Sequence, residues 1–270
     1  NPTRPIDAAA YQAMDILRRR AARPDMGRVT GWIPYVYYSH LVINDYLAQQ
    51  LPEKMVVSPA DRDRLNWQEN PKELFDTNYW QPRQPPATDR NKRWAYSSSY
   101  QLVPAAYDRS QRGDRIQQAS AHYSYSIPRD VKLGDVRITD VEHPSQKAQM
   151  HDAEGRHFGK QPVWLGYDTA RMPIQSFDGS CIVRISQDLN LGWRPNSPTS
   201  PEPTDINYTP RGWEAPTLNG RTSEITPGKI RWTRGGIKGS DCGGTEADTG
   251  QPFDEPFHSP NRRRRRWIEA

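Results

Sequence analysis

MPIQSFDGSCIVRI, Met172 to Ile185, sets an Asp-Gly pair between two apolar runs. That arrangement is a strong hairpin signal, because a type I′ turn needs positive φ at both central residues and Asp178-Gly179 tolerates it. Counting outward from a two-residue turn pairs Phe177 with Ser180, Ser176 with Cys181, Ile174 with Val183 and Met172 with Ile185. Side chains alternate across a strand, so Met172, Ile174, Cys181, Val183 and Ile185 are expected on one face, turned to the core. On this reading Cys181 is a small buried apolar residue. Asp178 has no acid or base spaced to serve it, and its role is the turn.

The rest of the chain fits a small sheet wrapped in irregular structure. Only 34 % of the 270 residues are apolar, against roughly 45–50 % in ordinary globular chains on a count that includes Gly. The 25 Pro, 9 Trp and 13 Tyr suit short strands, aromatic anchors and long loops. Two cysteines, Cys181 and Cys242, do not make a disulfide-dense scaffold, and no Cys/His spacing points to zinc. Net charge is +5, and the uninterrupted run Arg262, Arg263, Arg264, Arg265 and Arg266 would account for it alone. The body is nearly neutral, and no nucleic-acid-binding pattern supports the tail, which reads as a solvated, disordered run, with contact to phosphate, acidic lipid or an acidic partner as the other reading. No stretch reaches the ~20 apolar residues needed to cross a bilayer, and none reads as a signal peptide.

Along the chain, IDAAAYQAMDILRRRAAR (6–23) reads as a helix with Ala10, Met14 and Leu17 on one side, Ala13 and Ala21 extending it, Asp7 as N-cap and Pro24 as stop. A second helix is expected over 36–50, with His40 as a core or interface histidine. Met55-Val56-Val57 reads as a short buried strand halted by Pro59. Residues 66–94 read as an extended loop pinned by Trp67, Trp80 and Trp94. Strands are expected over 95–103, 118–127, on both sides of a turn at His143-Pro144-Ser145, and over 228–233, while 163–165 reads either as a strand or as the anchor of a loop. Residues 195–222, with six prolines, read as a long excursion rather than a second domain.

Chemistry-bearing patterns are weak. His143, His151, Asp152, Glu154 and His157 fall within fifteen residues, but HDAEGRH reads more simply as a solvated polar loop between strands. The glycine-rich stretches lack a phosphate-cradling pattern, and Ser180 lies in DGSC rather than a nucleophile elbow. Asp61 and Asp63 are not distinguished from the many other carboxylates. No catalytic residue, metal or cofactor is assigned.

The succession GWIPYVYYSHLVINDYL, LPEKMVVSPADRDRLNW, AYSSSYQLV, the stretch from Val141 to Arg184, and RWTRGGIKGSDCGG resembles the prepilin-like (type II secretion pseudopilin-like) proteins of planctomycete bacteria. The resemblance spans about residues 30–245. It implies an α+β fold, with short N-terminal helices behind an upstream hydrophobic stalk and a mainly antiparallel β-sheet head with Pro- and aromatic-rich loops. The implied organisation is a stalk-to-head connector over 1–30, one head over 31–258 and a basic tail over 259–270. In that family a cysteine precedes the proline where Ser58 stands here, so no thiol is available at that position. The chain begins at Asn1 rather than Met, and the stalk is expected ahead of it.

The resemblance also implies a non-enzymatic subunit at the cell envelope or extracellular surface. Its expected partners are itself, as a homo-oligomer or filament, and other pilin-like subunits. The loops 66–94 and 195–222 are the candidate contact elements, touching neighbours, exported cargo, a glycan or an acidic surface. The candidate contact residues are Trp67, Trp80 and Trp94, with Arg262, Arg263, Arg264, Arg265 and Arg266 in the tail. A carbohydrate-binding module using loop aromatics is the alternative, and binding of nucleic acid or another acidic partner through the tail comes third. A Cys181–Cys242 disulfide in an oxidising envelope, and a glycan on Asn207, are left open.

Overall fold

The computed structural model describes residues 5–26, 35–69, 71, 92–109, 115–128, 131–194, 203–233 and 235–242. Trp80 and much of the 66–94 loop lie outside them, as does the 195–202 start of the 195–222 loop. So does the whole 259–270 tail, and with it the candidate contacts Arg262, Arg263, Arg264, Arg265 and Arg266. The described chain is α+β, with helices α1 (Pro5–Arg20), α2 (Tyr35–Tyr38) and α3 (Arg62–Glu69) and short antiparallel strands.

α1 forms where the apolar spacing predicts. Ala10, Ala13, Met14 and Leu17 are buried on one face. Asp7 lies in the first turn rather than at the cap, and Arg18 to Arg20 in the last turn complement the helix dipole. The buried face packs into a cluster with Tyr37, Leu41, Trp67, Trp94 and Trp213. The expected helix over 36–50 is helical but tighter: α2 passes into 3₁₀ turns over Ser39–Tyr46. Ser39, β-branched Val42 and Ile43, and Asn44 are weak α-formers. His40 is buried there as expected, and desolvation lowers its pKa to about 4.

Several expected strands are replaced by local turns. Lys54–Val56 is a 3₁₀ turn because the Glu53 carboxylate accepts from the Met55 N–H (3.0 Å). Met55 then points outward while Val56 and Val57 are buried. Residues 62–69, read partly as loop, are helical, and Trp67 is carried on α3 rather than on an extended segment. The 95–103 strand shrinks to β1 (Tyr100–Leu102), preceded by a 3₁₀ turn over Lys92–Tyr96. Residues 118–127 hold a small hairpin of β2 (Gln117–Gln118) and β3 (Tyr125–Ser126). Before the turn at 143–145 a 3₁₀ turn, Ile138–Asp140, stands where a strand was expected. Likewise 229–231 is a 3₁₀ turn.

The remaining strands are β4 (Ala148–Asp152), β5 (Glu154–Gly155), β6 (Val163–Trp164), β7 (Arg171–Ser176), β8 (Cys181–Ile185), β9 (Asp205–Tyr208) and β10 (Glu224–Pro227). The main sheet has the order β1-β4-β7-β8, antiparallel throughout, and β5/β6 and β9/β10 form two-stranded ribbons. Met172 and Ile174 on β7 pack with Val103, Ala148, Leu165, Leu189 and Ile230. Lys147 ties the C-terminal stretch to this sheet. Its ammonium donates to Asp241 Oδ2 at 2.7 Å, and both side chains are fully buried.

The hairpin is present with its register moved by one residue. Gln175 pairs with Cys181, Ile174 with Ile182, Pro173 with Val183 and Met172 with Arg184. The loop is therefore Phe177-Asp178-Gly179. Gly179 N–H donates to Ser176 C=O (3.0 Å), and Ser176 N–H donates to Ser180 C=O (2.8 Å). Gly179 has φ +84° while Asp178 has no positive φ, which fits a type I turn closed by a glycine bulge and not a type I′ turn. Asp178 Oδ1 favours this form by accepting from the Ser180 N–H (2.9 Å) and hydroxyl (2.7 Å).

One extra loop residue turns every β8 side chain over. Cys181, Val183 and Ile185 leave the face of Met172 and Ile174, and Cys181 is exposed instead of buried. Cys242 is buried, both thiols are free, and the disulfide left open is absent. Burial, with Asp241 nearby, pushes the Cys242 thiol up to about 12.

Candidate functional site

The densest set of ionisable groups gathers between α3, β1 and the β4–β5 turn. Asp61 follows the Pro59-Ala60 turn and caps α3, its Oδ1 accepting from the Arg64 N–H at 3.2 Å. The other oxygen, Oδ2, accepts from Arg64 Nη1 (2.6 Å) and the Ser99 hydroxyl (2.7 Å), with Arg156 Nη2 at 3.4 Å. Arg64 also donates through Nε to the Ser97 hydroxyl (3.0 Å). Burial alone would raise the Asp61 pKa, but Arg64, Arg156 and the Ser99 hydroxyl hold it well below the usual carboxylate range.

Arg156 is the hub. Its guanidinium binds Asp152 Oδ1 through Nη1 and meets Glu154 Oε2 at 3.2 Å through Nη2, while all three side chains are buried. Three carboxylates face two guanidiniums, and only Asp61 is fully compensated. Burial raises both Asp152 and Glu154 against the pull of Arg156, and Glu154, reinforced by Glu214, Asp61 and Asp152, reaches about 7.

A neighbouring cluster is centred on Glu214. Its carboxylate contacts His122 Nε2 (2.9 Å) and accepts from the Tyr37 hydroxyl (2.7 Å) and the Arg211 N–H (2.8 Å). Burial would raise this acid, yet His122 and these hydrogen bonds lower it to about 2. Tyr37 links the clusters, since Arg64 lies over its ring at 5.3 Å.

The sequence candidates separate on this map. Asp152 and Glu154, read as part of a solvated loop, are buried network members. That error has a legible cause: in an extended segment Asp152, Glu154 and Arg156 alternate onto one side, a period-two pattern of charge in place of apolar residues. Asp61 and Arg64, at capping distance on α3, are the acid and base that sequence reasoning did not single out. His151 lies on β4 with Nδ1 2.8 Å from the Asp152 carbonyl, and burial and Arg231 lower its pKa to about 3. Exposed His157 contacts the Ser58 hydroxyl through Nε2 at 3.0 Å. Ser58 itself is fully buried, so this pair is sealed on the serine side. His143 stands in a separate turn. Among the described residues no three His, Cys, Asp or Glu side chains are grouped to hold a metal.

Trp67 and Trp94, candidates for surface contact, are instead committed to the core. Trp213 lies edge-on to each at 5.5 Å, and Tyr37 is edge-on to Trp94 at 5.1 Å. Asn207 is exposed on β9, opposite Ile225. No helix among the described residues is long and apolar enough to cross a membrane.

No protein-family model, curated protein or solved structure matches this chain.

Proposed function

We propose that this chain is the head of a non-enzymatic, pilin-like structural subunit that works by assembly and surface presentation at the cell envelope. One observation carries the reading. The separate stretches on which the resemblance rests meet in space: Ser58 and Asp61 from the SPAD segment, Ser97 to Ser99 from the SSSY segment, and Asp152 to Arg156 from the HDAEGR segment form one buried network. A further motif, the GSDC segment, supplies Asp241 to Lys147. Residues spent in this way brace a head whose sheet is small and whose connections are long, which is what a rigid surface-presenting subunit requires. Partners on this reading are further copies and other pilin-like subunits. The sugar-binding alternative receives less support, because Trp67 and Trp94 do not offer free faces.

The test is the N-terminus and intact mass of the native protein, together with the gene upstream of Asn1. A cleavable leader, a hydrophobic helix and recovery in an envelope or sheared-filament fraction are the expected result. An upstream region with no such helix would overturn the assignment.

A further inference from the structure

The two edges of the main sheet are treated differently. In an antiparallel ladder only alternate residues of an edge strand bond inward, and the others turn their N–H and C=O outward. On β1, Val103 N–H bonds the Gln149 carbonyl and Gln101 stands opposite His151, so Tyr100 and Leu102 face outward. Both N–H groups are satisfied within the chain, Tyr100 by the Ser98 hydroxyl (2.9 Å) and Leu102 by the Ser39 hydroxyl (3.2 Å).

At the opposite edge, Ser176 N–H donates to Ser180 C=O and Ser186 N–H donates to Ala170 C=O. This phase turns Cys181, Val183 and Ile185 outward. Their N–H groups have no hydrogen-bond partner among the described residues. The strand contains no proline, no lysine and no internal bulge, and its one charge, Arg184, stands toward its far end. Its side chains add apolar surface, with Ile182 47 % and Val183 51 % exposed and Cys181 exposed beside them.

From this geometry we infer that β8 is an assembly edge on which a second copy of this chain adds its own β8 antiparallel across a two-fold axis. The charge at the two ends of the strand selects that occupant. Asp178 stands exposed at the hairpin tip, its carboxylate accepting from Ser180, and Arg184 lies at the far end with no ion pair among the described residues. Arg171, exposed and paired with Ile185, adds a second cation at that end. Asp188 lies beyond Ser186, where the chain leaves the sheet in a 3₁₀ turn. An antiparallel copy brings Asp178 of each chain toward the Arg184 end of the other, whereas a parallel copy sets like charge beside like. An isologous contact of this kind closes on itself. This inference deepens the assembly reading above by naming a contact surface, and it rests on that reading for its biological setting.

The experiment uses the full chain at increasing concentration in sedimentation equilibrium, with cross-linking by short bis-maleimides. Cys181 is the exposed one of the two cysteines, so the native thiol reports on the edge without engineering. The expected result is a concentration-dependent dimer joined through Cys181, at least tenfold weakened in Val183→Lys and unchanged in Ile225→Lys on the separate β9/β10 ribbon. A chain that stays monomeric to about 1 mM, the weak end of specific association, with no Cys181 cross-link, would overturn it. So would a dimer indifferent to Val183→Lys, or one in which Ile225→Lys is equally disruptive. Cross-linking of the unmodified chain decides the matter should Val183→Lys fail to fold. A monomer with a hydrophobic helix encoded upstream would remove the β8 contact and leave the pilin-like reading intact, while a β8 dimer without that helix would do the reverse.

Discussion

Glu154→Gln should make the protein more stable in mild base and leave it little changed in mild acid. Glu154 is buried, and its folded-state pKa of about 7 lies above the ordinary 4.5. Between those values the folded chain holds a proton that the unfolded chain has released. The contribution is therefore fully present below pH 4.5, is lost as pH rises through 7, and stays lost above that. The whole gap corresponds to about 3 kcal/mol, of which roughly 2.5 kcal/mol falls between pH 5 and pH 8. Glutamine is neutral throughout, keeps an oxygen that can accept from Arg156 and has nearly the same volume. Urea unfolding of both proteins at pH 5 and pH 8 measures the difference directly. The expected outcome is a gain for the variant that is about 2 to 3 kcal/mol larger at pH 8 than at pH 5. Equal effects at both pH values would mean that Arg156 fully compensates Glu154, and the account of three acids facing two bases would fail.

His151 supplies a slope of opposite sign. Its folded pKa of about 3 lies below the ordinary 6.5, so its contribution is complete above 6.5 and is lost as pH falls toward 3, by up to about 5 kcal/mol; His151→Gln should flatten the acid limb of stability measured by chemical unfolding. Lys147→Met strands the Asp241 carboxylate in a fully buried site and should destabilise by about 3 to 5 kcal/mol, while the double variant Lys147→Met with Asp241→Leu recovers part of that loss in the same denaturation assay. Gly179→Ala meets no steric obstacle, since nothing lies within 4 Å of an added Cβ, but it must keep φ near +84°. A loss of about 1 kcal/mol with unchanged circular dichroism is expected, and a neutral result would argue against the glycine-bulge turn.

The parts of the fold legible in the sequence were those in which one residue type had one dominant physical role. The α1 face could be read because Ala10, Ala13, Met14 and Leu17 repeat at helical spacing and are buried accordingly. The hairpin could be placed because Asp178-Gly179 has few other uses, yet its register could not be counted from that pair alone. Both the I′ turn and the glycine-bulge turn accept Asp-Gly, and the choice turns on which carbonyl the Gly179 N–H meets. That single hydrogen bond moves Cys181 from the core to the edge.

The charged network was illegible for a different reason. Burial of Asp61, Arg64, Asp152, Glu154 and Arg156 depends on separated stretches arriving together, and each stretch alone is polar enough to read as surface. Partner groups reverse that expectation: a carboxylate beside two guanidiniums can be buried where an unpaired one could not. The same coupling explains why the aromatic segments were misread. Trp67 and Trp94 stand in polar surroundings along the chain, but Tyr37, Trp213 and Arg211 close over them in space, with Arg211 4.6 Å from the Trp94 ring. A low apolar fraction therefore does not leave this chain without a core. It moves part of the core's work from aliphatic packing to aromatic edges and paired charges, and these place the β-sheet with one edge sealed by serine hydroxyls and the other open.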